Sequence, residues 1–199
     1  MYPAGDSELV QIVDEALADA ARRSGDWLAC RPGCNQCCTG VFRISALDAA
    51  RLQVGLRELQ HRDPQVAADL RQRIARSHEA LSTGFPGNPI TGILSQADDA
   101  EEAFDSFAED ATCPVLDPAT GTCNLYTHRP MTCRTFGPPV WTGDGGYGVC
   151  ELCFVGAPAE EVKRSELNLP DPELEHQLTQ QVGCNGDTIV AFAFGRALA

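Results

Sequence analysis

Nine of the ten cysteines fall into three short clusters. The densest, Cys30-Arg-Pro-Gly-Cys34-Asn-Gln-Cys37-Cys38, places four thiols within nine residues. Thiolates a few residues apart on one turn can converge on a single soft ion or on an iron–sulfur cluster, so this density points to metal chemistry. Cys34 and Cys37 have the spacing of a metal knuckle, in which a tight turn presents both sulfurs while backbone amides point at them. Pro32 and Gly33 keep Cys30 and Cys34 from sharing a helix face, so the segment has to loop around what it holds. Adjacent Cys37 and Cys38 are expected to project in different directions. Either a polynuclear centre takes both, or one of them faces a second site or the core.

The second cluster comprises Cys113, Cys123 and Cys133. The turn chemistry of Asp117-Pro118-Ala119-Thr120-Gly121 predicts a hairpin-like loop that brings Cys113 and Cys123 together. Cys150-Glu-Leu-Cys153 is a third pair at knuckle spacing. A thioredoxin-like redox pair would open a helix after a strand, so with seven clustered thiols elsewhere the pair reads as ligands. The expected metal ligands are therefore Cys30, Cys34, Cys37, Cys38, Cys113, Cys123, Cys133, Cys150 and Cys153. Cys184 stands alone and reads as a small buried hydrophobe.

Arg129 and Arg134 border the second cluster and are the candidate cofactor-binding residues. Their cations would offset several thiolates or grip an anion, although a loop-holding role for Arg129 fits as well. Tyr126 reads as a packed ring and His128 as a surface histidine. No nucleophile elbow, phosphate loop or His-Glu-x-x-His helix is present, so no catalytic residue is singled out. Gly143-Asp-Gly145-Gly-Tyr-Gly148 fits the dinucleotide string but lacks its strand-to-helix context, and a hairpin turn explains it better.

The ordered set of Cys-x3-Cys-x2-Cys-Cys, then Cys-Pro-x-Leu, Gly-x-Cys-x-x-Tyr and Arg-Pro-x-x-Cys-Arg resembles the YkgJ-type cysteine-cluster family of zinc- or iron-chelating proteins. The match spans about residues 30–136. The resemblance implies metal binding through Cys34, Cys37, Cys38, Cys113, Cys123 and Cys133, with Arg129, Pro130 and Arg134 as companions. The cluster is also similar to that of flagellin lysine N-methylases, which are iron–sulfur proteins. Two departures stand out: Asn35-Gln36 lie where members commonly carry glycine, and the cysteines after the Cys133-Arg134 pair come only at Cys150 and Cys153.

The chain of 199 residues is long enough for one domain with an apolar core, and the cysteines are not needed merely to fold it. A single domain over 1–199 is expected, with its cysteine-cluster core at about 30–153. No secretory signal is evident at Met1–Asp6, so a reducing cytoplasmic setting is expected, where metal sites outnumber disulfides. The net charge of −13 sits mostly in residues 81–199, where 5 basic residues face 17 acids, so nucleic-acid binding is not expected. No membrane span is expected either. The acidic run from Asp98 to Asp110 lacks the loop of a calcium hand and reads as a solvated face.

The elements that must position the thiols are mainly α-helical, with little β structure. Helical periodicity places an amphipathic helix over 7–23, carrying Leu9, Ile12, Val13, Ala16, Leu17 and Ala20, and another over 45–60 opened by a Ser45/Asp48 capping box. A third, over 64–81, starts at Pro64, and a fourth covers 171–182. A short acidic helix is expected over 97–109, and the 83–89 loop has the composition of a linker. Between Cys113 and Cys153, prolines and glycines predict sparse regular structure, and 188–198 reads as a helix or a buried strand. A metal-binding protein holding an iron–sulfur cluster or zinc is the expected function. The alternatives are an iron–sulfur enzyme modifying a protein or small molecule, methyltransferase-like, and a zinc-stabilised interaction domain.

Overall fold

A computed structural model describes residues 3–97, 100–143, 145–183 and 186–195. Among them are α1 (Asp6–Ser24), α2 (Ala46–Arg62), α3 (Pro64–Ser82), α4 (Ala100–Asp105), α5 (Met131–Thr135), α6 (Ala159–Arg164) and α7 (Pro172–Gln180). The strands are six two-residue pieces in three antiparallel hairpins: β1 (Gly87–Asn88) with β2 (Ile93–Leu94), β3 (Leu116–Asp117) with β4 (Thr122–Cys123), and β5 (Val140–Trp141) with β6 (Tyr147–Gly148). The fold is therefore mainly helical with little β structure, as the periodicity predicts. No helix among the described residues is long and apolar enough to cross a membrane.

The long helices begin where the chemistry of their first residues dictates. The Ser45 hydroxyl accepts from Asp48 N–H at 3.1 Å while the Asp48 carboxylate accepts from Ser45 N–H at 3.4 Å, completing the capping box of α2. Asp63 ends α2 and also caps α3, accepting from Val66 N–H at 3.1 Å with Pro64 at the first helical position. The apolar faces of these two helices form the main core: Leu52, Leu56, Leu59, Ala67, Leu70 and Ile74 pack with Ile44, Val115, Leu125 and Val190. Cys113 and Cys123 lean on the edge of this cluster, so the core is the wall on which the second cysteine cluster rests.

α1 packs Leu9 and Val13 against Leu47, Met131 and Leu178, which ties α5 to the N-terminal helix. A buried ion network crosses the same boundary. Arg51 reaches Asp6 and Asp48, each at 2.6 Å, and Asp48 also accepts from Met131 N–H at 2.9 Å, the opening amide of α5. Gly55 of α2 allows the Tyr126–His128 turn to lie on the helix, since a Cβ there would stand 2.7 Å from the His128 ring.

Some expectations need correction. The acidic helix is shorter than predicted, ending at Asp105, and Ala108 has φ 54°, outside helical space. The 83–89 loop is anchored rather than linker-like, because Phe85 is buried and stacks on Phe192 at 4.3 Å between centroids. Of the 188–198 stretch, Thr188 bridges to Ile44 and Val190–Phe192 form a 3₁₀ turn; residues 196–198, like Cys184 and Asp144, lie outside the described residues.

Candidate metal centre

The thiols sort into two groups. In the first, Cys37 lies near each of Cys38, Cys113, Cys123 and Cys133, and Cys30, Cys34, Cys150 and Cys153 form a second set. All nine are free thiols.

In the five-thiol group, the 3₁₀ turn Gln36–Cys38 presents the adjacent cysteines. Their thiols hydrogen-bond to each other, and Cys38 is also close enough to Cys113 and Cys123 to be raised by them. The expectation that the two side chains diverge is thus not met: the tight turn brings both to the same group. Cys113 N–H donates to the Cys38 carbonyl at 2.8 Å, joining the two clusters through backbone. The β3–β4 hairpin then pairs Leu116 with Cys123, and the Asp117 side chain accepts from Ala119 N–H at 2.9 Å, so the turn legible in the sequence brings Cys113 and Cys123 together. Cys133 arrives on α5.

Backbone amides point at the sulfurs. Val115 and Leu116 N–H groups are directed at Cys113, Leu125 N–H at Cys123 and Leu152 N–H at Cys150. In each case an amide two residues on is involved, the arrangement of a metal knuckle. Such donors favour thiolate, yet burial dominates. It pushes Cys113 up to about 12 and raises Cys123. Burial also raises Cys133, helped by Cys113, Cys37 and Cys123. Cys37 moves the other way: the Cys38 thiol donates to it and brings it down to about 6, with a smaller contribution from the Arg129 charge. One thiolate is therefore favoured in a pocket that resists the others without a cation.

The four-thiol group is assembled from distant segments. Cys30 is exposed as a residue, but its thiol is held up to about 12 by partial shielding from water first and then by Cys153, to which it hydrogen-bonds, with Cys34 and Cys150 adding to the shift. Cys150 is raised by burial, then by Cys153 and Cys34. Among the described residues, no three His, Cys, Asp or Glu side chains already stand at the spacing of a loaded metal site, so the thiols of both groups are neighbours that have not converged.

Arg134 is 1% exposed and fully engaged. It grips Asp14 with two bonds of 2.8 and 2.7 Å and donates to the carbonyls of Thr127 and Arg129. Arg129 donates to Asp14 at 3.2 Å and to the Tyr126 carbonyl at 3.0 Å, and its guanidinium lies 4.1 Å from the Tyr126 ring centroid. Both arginines thus hold the loop and α5 onto α1, while Arg129 also lends charge to Cys37 and Cys123. Tyr126, expected as a packed ring, is 61% exposed beneath that cation. His128 is no free surface histidine, since it packs on Gly55 and sits 3.2 Å from Glu58. Asp14 and Asp48, which set α5 and hence Cys133, escaped the sequence reading. Asp48 was visible only as a capping residue, and nothing local distinguishes Asp14 from the other acids of α1.

A family model, "Putative zinc- or iron-chelating domain", matches residues 29–153, from the residue before Cys30 to Cys153 itself. The chain belongs to this CxxCxxCC family. The resemblance carried by the cysteine spacing is borne out, and membership supports metal binding in general terms. The matched span encloses both thiol groups of the CxxCxxCC domain together with Arg129 and Arg134. No curated protein matches the chain, and no solved structure does.

Proposed function

We propose that the chain is a metal-binding protein holding a polynuclear thiolate centre, an iron–sulfur cluster in the first reading, on Cys37, Cys38, Cys113, Cys123 and Cys133. The observation that carries this is the gathering of five thiols, adjacent Cys37 and Cys38 included, in one half-buried group. One tetrahedral ion takes four ligands, so five thiols suit a centre of more than one metal atom. The amides directed at Cys113 and Cys123 support the same assignment, because they stabilise sulfur as thiolate and tune a cluster through hydrogen bonds to it. A pair of zinc ions is the second reading, favoured by the family's description as zinc- or iron-chelating. When bound, a cluster would supply electron transfer or Lewis acidity. The protein's part is to hold it in a pocket walled by the α2–α3 core and braced by Arg129 and Arg134.

Anaerobic purification followed by iron, zinc and sulfide analysis and an absorption spectrum tests the proposal. Broad visible absorption with iron and sulfide in equal amounts is expected for a cluster, whereas colourless protein with zinc selects the second reading. Cys113→Ser and Cys133→Ser should each strip or sharply reduce this metal, since a serine hydroxyl is a poor substitute for thiolate. Unchanged metal content in both variants would sink the proposal.

A further inference from the structure

We infer that α7 is a proton-gated strap, which covers the apolar seam between α1, α2 and α5 when Glu175 is protonated and lifts from it more readily when Glu175 is ionised. Neither the thiols nor the proposed metal centre enters into this device.

The strap is tied at both ends and lightly held between them. Before α7, Leu167 is buried and its N–H donates to the Pro139 carbonyl at 2.7 Å. Beyond α7, Thr188 exchanges two backbone hydrogen bonds with Ile44, at 3.0 and 2.9 Å. Among the described residues from 168 to 183, Leu178 alone is buried. It joins the cluster of Leu9, Val13, Leu47 and Met131, with Val182 partly buried against it, and lies beside Gly5, where an added Cβ would stand 3.5 Å from its Cδ2. Nine residues do not hold a helix by themselves in water, so α7 persists only while it stays docked. Its docking rests on this one apolar anchor and on what Glu175 adds or takes away.

Glu175 stands where its charge works against docking. Among the described residues, the charged groups that face it are Asp6 from α1 and Asp48 and Arg51 from α2. Arg51 is engaged with the two aspartates, at 2.6 Å each, and lies 3.9 Å from Glu175, outside hydrogen-bond reach. Three carboxyl groups around one guanidinium leave negative charge in excess, and the proton that relieves it goes to the carboxyl with the weakest hold on the cation. Burial first, and then Asp48 and Asp6 against the pull of Arg51, accordingly raise Glu175 above the ordinary glutamate range. Its side chain is 30% exposed, open enough to trade that proton with water. The other ionisable groups of α7 point along the helix itself: Glu173 accepts from Gln177, and His176 pairs with Gln180.

The docked value lies above the undocked one of about 4.3. The contribution of Glu175 to docking is therefore fully present below the undocked value and is lost as pH rises through the docked one. Lifting α7 uncovers Leu9, Leu47 and Met131, and Met131 opens the helix that carries Cys133. One proton thus sets whether this apolar seam is covered.

Native-state hydrogen exchange of the full-length, anaerobically purified protein tests the device from about pH 5 to about pH 8, read peptide by peptide and corrected for the intrinsic pH dependence of exchange. In the wild type, protection of the α7 amides should fall by up to about tenfold per pH unit at the acid end of this range and then level off, while protection in α2 and α3 stays constant. Glu175→Gln, neutral throughout, should give α7 a protection that is flat across the range and severalfold above the wild type at neutral pH. Leu178→Ala should lift the strap at every pH, with protection lost in α7 and kept in α2 and α3. Three results would each overturn the inference: α7 protection independent of pH in the wild type, Glu175→Gln no better protected than the wild type at neutral pH, or Leu178→Ala losing protection in α2 and α3 as much as in α7.

Discussion

Cys113 and Cys37 show how one pocket sets two thiols apart. Burial raises Cys113 to about 12, so in the metal-free fold it is neutral at ordinary pH. Because the folded value lies above the unfolded one of about 8.5, its contribution to stability is fully present below that value and is lost as pH climbs toward about 12. Cys37, lowered to about 6 by the Cys38 hydrogen bond, contributes in the opposite sense: its stabilisation is present above the unfolded value and lost as pH falls through about 6. Metal-stripped protein is therefore expected to melt at lower temperature at pH 11 than at pH 8, measured by circular dichroism, whereas metal-loaded protein should lack that alkaline loss. Loading has to displace protons from the raised thiols. Apparent affinity for Zn²⁺ should accordingly rise by about tenfold per pH unit for each proton released, and an affinity independent of pH would show that the raised thiols are not ligands. At Arg134, replacement by Ala leaves the Thr127 and Arg129 carbonyls without this donor and Asp14 with Arg129 alone, and should cost on the order of 3 kcal/mol in denaturant unfolding. Lysine cannot hold Asp14 and the Thr127 and Arg129 carbonyls at once as the planar guanidinium does, and should recover only part of the loss.

At the scale of elements, the short helix α5 delivers Cys133, and five residues cannot hold a helix by themselves. Its position is imposed by Asp48 on the Met131 amide, by Arg134 on Asp14 and by Met131 in the α1 cluster. Asp48→Ala is expected to destabilise the protein by about 3–5 kcal/mol, since Arg51 loses one of its buried partners. The same change should lower metal retention through Cys133 without touching a thiol, which metal analysis on the folded fraction would register. The long helices were legible in the sequence because their periodicity and caps are local: Ser45 with Asp48, Pro64 and Asp171 each mark a start. The hairpins around Asp117–Gly121 and Gly143–Gly148 were legible from turn chemistry for the same reason. By contrast, the partition of the cysteines was not. It depends on the docking of Phe154 on Trp27 and on the closeness of Cys30 to Gly137, contacts between segments more than a hundred residues apart that no spacing rule encodes.

Across the whole molecule, the α2–α3 core backs Cys113 and Cys123, while Cys150 and Cys153 pack with Phe154 against Trp27, Leu28 and Ala29. Stretches 28–44 and 113–158 hold little regular structure and few of the large buried side chains, so their order is expected to depend on bound metal more than that of α2 and α3. Hydrogen exchange with and without metal should show protection lost mainly in these two stretches, while amides of α2 and α3 stay protected. The most direct test of the account is native mass spectrometry of the anaerobically purified chain, joined to a thermal melt before and after chelation. A mass above that of the bare polypeptide by bound zinc, or by iron with sulfide, and a melting temperature that falls when the metal is removed are the predicted results. A bare polypeptide mass with a melting temperature unchanged by chelator would contradict it.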